Sequence, residues 1–222
     1  MPRNSADVLV YRKHIYLYLN QIYSVKKVYL ILMLLLGARL CFSQSKELLL
    51  EKLKSAKEDT VKVNLLNTLA KEAVGNHATD ARLFATKALV LAQKTNYVNG
   101  LAKACSNIGY CFLNESLFDS ALFYFNKGLL ISADTKHKHI HAELLNRKGV
   151  TFYYKGLTDS SLCYFKKSLV QYEALKDSSQ ILAALNNIGA ISLRTGDMDG
   201  ALTCFFKCLA CDEKQKIYCN GL

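Results

Sequence analysis

Three histidines alternate with other residues along one short stretch of the chain, at His137, His139 and His141. Neutral imidazoles at close spacing are good ligands for Zn²⁺ or Ni²⁺. The residues immediately adjacent to them are neither acidic nor cysteine. We therefore favour a solvated loop between two structural units over a metal site.

Cysteines form a second cluster with possible ligand chemistry. Of the eight in the chain, Cys204, Cys208 and Cys211 are spaced i, i+4 and i+7, which places them on one face of a helix. Forty and eighty residues before Cys208 stand the small residues Ser168 and Gly128. A buried free cysteine behaves as a small hydrophobe. We predict core packing for this cluster and no metal site.

Sequence signatures of several enzyme classes are missing. The chain contains no G-x-G-x-x-G, no G-x-x-x-x-G-K-[ST] and no H-E-x-x-H. An S-x-x-K pattern at residues 43–46 straddles a predicted cleavage point, and we attribute it to chance. We expect no catalytic residues and no cofactor, and we predict that the protein is not an enzyme.

The composition is that of a folded globular protein, with 51% hydrophobic and 21% charged residues. The net charge is +11, but residues 44–222 hold 23 basic and 17 acidic residues, a net of +6. The basic residues are scattered along the chain, unlike a nucleic-acid-binding patch. We therefore expect no nucleic-acid partner. The only proline is Pro2, and the absence of proline from the rest of the chain favours long helices there.

Residues 1–43 resemble a secretory signal segment. Lys26 and Lys27 precede the apolar run 28–38, and small residues lie before Gln44. The apolar run is short for a membrane span, which needs roughly 20 residues, although an uncleaved anchor is the alternative. We predict an exported protein, periplasmic or membrane-associated. Seven cysteines would remain after cleavage, an odd number that is awkward in an oxidising compartment.

A repeat with a period of about 40 residues runs through the rest of the chain, and self-similarity at such a period indicates stacked supersecondary units. Its first position is a glycine, at Gly109, Gly149 and Gly189, and a small residue and then a phenylalanine follow each glycine at constant spacing. A weaker copy lies upstream, around Ala70 and Ala81. The predicted packing residues are Gly109, Phe112, Ala121, Phe125, Gly149, Phe152, Ser161, Phe165, Gly189, Ala201 and Phe205.

Each unit is predicted to be a pair of helices. Ala121, Phe125 and Gly128 follow the i, i+4, i+7 spacing of a half-buried helix, which Asp119 could cap at its start. The preceding helix ends near Ser116, and its counterparts end at glycines that tolerate a left-handed backbone. Small residues permit a close helix crossing, and phenylalanine fills the space toward the next unit. These features predict a helical solenoid.

The order of small residue, aromatic, turn residue, alanine and phenylalanine resembles the tetratricopeptide repeat (TPR). The resemblance implies an all-α fold, a right-handed solenoid of stacked antiparallel helix pairs. It covers four units, at about 58–97, 98–137, 138–177 and 178–217, and their period is longer than that of the usual repeat, which is about 34 residues. Residues 44–57 are predicted to form an N-terminal capping helix, and residues 218–222 to begin a further unit.

The resemblance also implies a working surface, the groove lined by the first helix of each unit. The predicted groove residues are Asn67, Lys71, Ser106, Tyr110, Asn146, Tyr153 and Asn186. Asparagine can pair with a peptide backbone, and tyrosine offers a rigid face with a polar tip. Alternatively, an individual asparagine could tie one helix to its neighbour. The carboxylate clamp of chaperone-binding repeats does not carry over, because Asn67, Lys71 and Glu143 depart from it.

Two hypotheses about function remain. In the first, the chain is a non-catalytic scaffold that binds a protein or peptide. In the second, it resembles the extracytoplasmic sensory part of a longer bacterial signalling protein, with a histidine kinase or a DNA-binding output. A membrane would be involved only through an uncleaved signal or a C-terminal span outside the given sequence.

Overall fold

The computed structural model describes residues 47–75, 77–133 and 135–220, and from residue 211 onward the backbone alone. The predicted signal segment 1–43 lies outside the described residues. The chain divides into two compact units, Met1–Lys52 and Leu53–Leu222. In the first of these, the described residues 47–52 are helical.

The described residues form helices joined by short turns, with no strand among them. We label the helix at residues 47–55 as α1. The later helices are α2 (Thr60–Ala73), α3 (Ala78–Lys94), α4 (Val98–Asn114), α5 (Phe118–Ile131), α6 (Lys138–Tyr154), α7 (Thr158–Leu175), α8 (Ser178–Thr195) and α9 (Met198–Asn220), with a 3₁₀ turn at Thr135–His137 before α6. The predicted all-α fold, a right-handed solenoid of stacked antiparallel helix pairs, is confirmed.

The turns inside the last three helix pairs share one backbone conformation. Ser116, Gly156 and Gly196 lie in the turns that follow α4, α6 and α8 and have φ angles of 60°, 76° and 79°, in the left-handed region. Glycine adopts this conformation without steric cost, whereas at Ser116 the side chain makes it sterically unfavourable. The predicted capping by Asp119 is wrong, because α5 starts at Phe118 with no side-chain cap and the carboxylate of Asp119 accepts a hydrogen bond from Lys155 at 2.6 Å.

The paired helices pack closely where glycine faces phenylalanine. A Cβ atom added at Gly109 would lie 2.5 Å from the ring of Phe125, and one at Gly149 would lie 2.7 Å from the ring of Phe165. Phe125 also packs in one buried cluster with Ile140 of α6, the first helix of the next pair. The phenylalanine therefore fills space within its own pair as well as toward the next one.

The other predicted packing residues take similar roles. Ala121, Ser161 and Ala201 are buried, and the hydroxyl of Ser161 donates to the carbonyl of Gly149 at 2.8 Å. Phe112 and Phe152 are half-buried and stack on tyrosines of the second helices, with ring centroids 5.6 and 5.3 Å apart. These contacts join α4 to α5 and α6 to α7.

Phe205 departs from this pattern, since it is 36% exposed where Phe125 and Phe165 are buried. The ring still lies against Gly189, at 3.1 Å from an added Cβ. Phe125 and Phe165 are each followed by a further helix pair, whereas the described chain holds no helix after α9. Phe205 therefore packs on one side only.

At the start of the stack, Leu53 of α1 packs against the core. This residue is half-buried against the first core cluster, which contains Val63 and Leu66 of α2. The capping role of residues 44–57 and the unit boundaries given above remain predictions. None of the helices in the described part of the chain combines the length and apolar character that a membrane span requires.

We expect alanine substitutions at the three glycines that face phenylalanine to change the free energy of unfolding by different amounts. Alanine gains roughly 1 kcal/mol of helix propensity over glycine at each position. At Gly109 and Gly149 the added methyl group overpacks a buried ring, which costs roughly 1–3 kcal/mol. Gly109→Ala and Gly149→Ala should therefore lower the free energy of unfolding, measured by urea denaturation. Gly189→Ala should preserve or raise it, because the ring of Phe205 lies farther from the added Cβ, at 3.1 Å, and is partly exposed. Equal losses at all three positions would contradict this packing.

Candidate functional site

Two adjoining cavities lie along the first helices of the pairs, and we call them together the groove. The first cavity has a volume of about 680 Å³ and is lined by Asn64, Asn67, Thr68, Lys71, Glu72, Tyr97, Lys103, Asn107, His139, Ile140 and Glu143. The second has a volume of about 480 Å³ and is lined by Lys71, Tyr110, Leu113, His139, Glu143, Asn146, Arg147, Val150, Tyr172 and Gln180. Lys71, His139 and Glu143 line both, so the two cavities adjoin.

Glu143 is the centre of a hydrogen-bond network in the groove wall. Its Oε1 atom accepts from the Ser106 hydroxyl at 3.0 Å and from Nε and Nη2 of Arg147 at 2.9 and 2.8 Å. Burial alone would raise the pKa of Glu143, but the charge of Arg147 and the hydrogen bond from Ser106 hold it below its ordinary value. The carboxylate is therefore ionised at neutral pH and balances the charge of Arg147.

The two tyrosines predicted for the groove are each covered by an arginine. The guanidinium of Arg147 lies 4.3 Å from the ring centroid of Tyr110, and that of Arg194 lies 4.3 Å from the ring centroid of Tyr153. Such cation–π contacts order both partners. Tyr110 lines the second cavity, whereas Tyr153 lines neither cavity. One face of each ring is therefore already occupied.

Asn67 ties neighbouring helices together. The Nδ2 of Asn67 donates to the carbonyl of Gly100 at 3.1 Å. The Nδ2 of Asn107 donates to the backbone carbonyl of Asn67 at 3.0 Å and to Oδ1 of Asn67 at 3.1 Å. Both asparagines are about 5% exposed. The amide groups of this pair are thus engaged between α2 and α4, which is the alternative role considered for groove asparagines.

The remaining predicted groove residues fall into two groups. Lys71 is exposed and Asn146 is half-buried, and both line the second cavity. Ser106 is buried and reaches the groove only through its bond to Glu143. Asn186 is exposed, lines neither cavity, and accepts from the thiol of Cys208 at 3.5 Å. A binding role for these residues remains a prediction.

The interpretation of the histidine run as a solvated loop is wrong for two of its members. His137 ends the 3₁₀ turn, but His139 and His141 lie in the first turn of α6. His139 pairs through Nε2 with the Asp177 carboxylate at 3.1 Å, and Nδ1 of His141 lies 3.1 Å from the Ser132 hydroxyl. Their separate partners point them apart, and the described residues contain no cluster of three potential metal ligands.

Several residues that line the groove were not predicted from the sequence, among them Tyr97, His139, Tyr172 and Gln180. Tyr97 lies just before α4, and Gln180 lies near the start of α8. Tyr172 belongs to the second helix α7, which the repeat pattern assigns to the outside of the groove. Its bulk at a position held by Ser132 one period earlier is the signal that could have identified it.

The cysteines behave as packing residues. Cys105, Cys111 and Cys204 are buried and free, Cys208 is half-buried, and the side chain of Cys211 lies outside the described part. Burial raises the pKa of the Cys105 thiol to about 11, despite the nearby charge of Lys127. A thiol that stays protonated is protected from oxidation.

Comparisons with known proteins identify the fold. No family model matches the sequence, and no curated protein matches it. Among solved structures, a Rap protein complexed with competence and sporulation factor matches with a TM-score of 0.72 and 16% identity, over 81% of this chain and 52% of that one. Aspartyl phosphate phosphatase F from Bacillus subtilis matches with a TM-score of 0.67 and 18% identity, over 82% and 47%.

A kinesin light chain from Podosopora anserina with nearly identical TPR-like repeats matches with a TM-score of 0.57 and 13% identity, over 79% of this chain and 88% of that one. The chain therefore has the TPR-type helical repeat fold predicted from its sequence. It spans about half the length of the two proteins described above, the Rap protein and phosphatase F.

We expect the thiols to react in the order of their burial. With its pKa at about 11, Cys105 carries only roughly one part in a thousand of thiolate at pH 8, and packing hinders its attack further. Cys163 is exposed on α7. Iodoacetamide labelling followed by peptide mass spectrometry should show Cys163 modified long before Cys105, and urea should abolish the difference. Similar rates in the folded protein would contradict the burial of Cys105.

Proposed function

We propose that the protein is a non-catalytic scaffold that binds an extended peptide segment along the groove. The observation that carries this proposal is the row of two adjoining cavities along α2, α4 and α6, which share Lys71, His139 and Glu143. Their walls combine apolar surface with fixed polar groups, as expected of a site that recognises a specific ligand.

The structural relatives support the proposal. One matching Rap protein was crystallised with competence and sporulation factor, and the Rap conjugation gene regulator of the plasmid pLS20 was crystallised with the Phr* peptide. The latter matches with a TM-score of 0.54 and 15% identity, over 67% of this chain and 43% of that one. Because the likeness concerns the fold, it motivates a peptide ligand for this chain without identifying it.

A sensory role in a longer signalling protein is the second candidate, and it depends on export. The predicted signal in residues 1–43 supports export. Burial protects the free thiols of Cys105, Cys111 and Cys204 in an oxidising compartment, whereas the exposed Cys163 lacks this protection.

Export can be tested on its own. Expressed in a Gram-negative host, the protein should accumulate in the periplasm with an N-terminus at or near Gln44, because signal peptidase cuts after small residues. Cell fractionation and N-terminal sequencing provide the measurement. An intact N-terminal segment on cytosolic protein would contradict export.

Peptide binding can be tested by selecting peptides from a random library on the wild-type protein and measuring their affinity by fluorescence anisotropy. We expect affinities that are roughly micromolar, as for small transient interfaces. Lys71→Ala combined with Gln180→Ala removes two side chains that line the second cavity. This variant should weaken binding about tenfold, because both truncated residues lie in the site.

A matched control uses the same residue types outside the groove. Lys87 and Gln93 are exposed on α3 and line neither cavity. Lys87→Ala combined with Gln93→Ala should leave affinity unchanged. Failure to select any peptide, or equal effects of the two double variants, would overturn the proposal.

A further inference from the structure

Two hydrogen-bond donors beside the second cavity are buried and have no partner in the described chain. They are Nη1 of Arg147 and the hydroxyl of Tyr172. The side chain of Arg147 is 13% exposed, and Tyr172 as a whole is 1% exposed. Buried polar groups in native proteins are nearly always paired, so each unpaired one requires an explanation.

We infer that these two donors hold a neutral carbonyl oxygen of the bound peptide. The inference rests on the proposed function and specifies the chemistry of one subsite. Arginine has no acceptor, and a carbonyl oxygen has two lone pairs, so one carbonyl can accept from both side chains. Arg147 and Tyr172 line the same cavity, so both donors belong to the wall of one site.

The Tyr172 hydroxyl acts as a donor because it stays protonated. Burial raises the pKa of Tyr172 well above the ordinary value of a phenol, and the negative charge of Glu143 adds to the shift. The hydroxyl therefore offers its hydrogen to a ligand at any physiological pH.

The charge of the subsite favours a neutral ligand group over a carboxylate. Arg147 already gives Nε and Nη2 to the ionised Glu143 carboxylate, which balances the guanidinium charge. A ligand carboxylate at Nη1 would lie close to that negative charge and meet repulsion. Lys71 supplies a further positive charge in the cavity, but its side chain is exposed, where attraction is screened.

Access to the donors requires a side chain to move, since both atoms are sealed from solvent. His139 is the side chain placed to make this movement. Its ring lies edge-on to that of Tyr172, with centroids 6.2 Å apart, and its side chain is 59% exposed. It is held by Asp177 at 3.1 Å, an exposed pairing of the kind that contributes little stability.

The test uses a peptide selected on the wild type whose binding is weakened by the Lys71→Ala and Gln180→Ala double variant. Tyr172→Phe keeps the ring and removes the hydroxyl. It should lower the affinity for that peptide roughly fivefold, the effect of one lost hydrogen bond. The melting temperature of the free variant should equal or exceed that of the wild type, because a buried unpaired hydroxyl has been removed.

Tyr124→Phe is the matched control. Tyr124 is half-buried on α5, stacks on Phe112 and lines neither cavity. Its removal of a hydroxyl should leave the affinity for the same peptide unchanged. An equal loss with both variants would overturn the inference.

Added NaCl distinguishes a carbonyl from a carboxylate. For a neutral carbonyl, the ratio of wild-type to Tyr172→Phe affinity should stay constant as NaCl is raised. A ratio that falls steeply with salt would indicate a ligand carboxylate and overturn the inference. If peptides bind in the groove but Tyr172→Phe binds them as tightly as the wild type, this inference fails while the proposed function stands. If no peptide is selected at all, the proposed function itself fails.

Discussion

The structure depends on one close approach that recurs with the repeat, where a glycine of the first helix meets a phenylalanine ring of the second. At Gly109 and Gly149 a single added carbon would collide with Phe125 and Phe165. The missing side chain lets the two helices come together, and the ring then fills the space between them. Because Phe125 also belongs to a buried cluster with Ile140 of the next pair, the same ring helps to position successive pairs and hence the groove along their first helices.

Much of this framework could be predicted from the sequence, because each of its contacts recurs with the period of the repeat. The glycines, the small residues and the phenylalanines that face them all came from that period, as did the left-handed turns at Gly156 and Gly196. Period alone does not show which element comes after a unit, so the 36% exposure of Phe205 was not foreseen. The position of a helix start was also missed, because His139 lies beyond a short 3₁₀ turn whose composition is that of a loop.

Residues that break the repeat were the hardest to interpret. Lys148 stands where Ile108 and Ile188 stand in the neighbouring units, yet it is only 7% exposed. Its ammonium donates to Asn126 at 2.7 Å and to the Tyr164 hydroxyl at 2.9 Å, so a buried charge is held by neutral groups. Such a pairing joins residues of α5, α6 and α7 and has no signature in any one helix.

The groove network is built from departures of the same kind, concentrated in one helix pair. One period before and after Glu143 the chain has Lys103 and Ala183, and around Arg147 it has Asn107 and Asn187. Tyr172 stands where the neighbouring units have Ser132 and Asp212. The regular contacts of the repeat do not need these three residues, since the other pairs form without them. Local departures from a consistent pattern are expected at functional sites, where stability is exchanged for specific chemistry. The regular contacts of the repeat supply stability that offsets the cost of keeping unpaired donors buried until a ligand binds them.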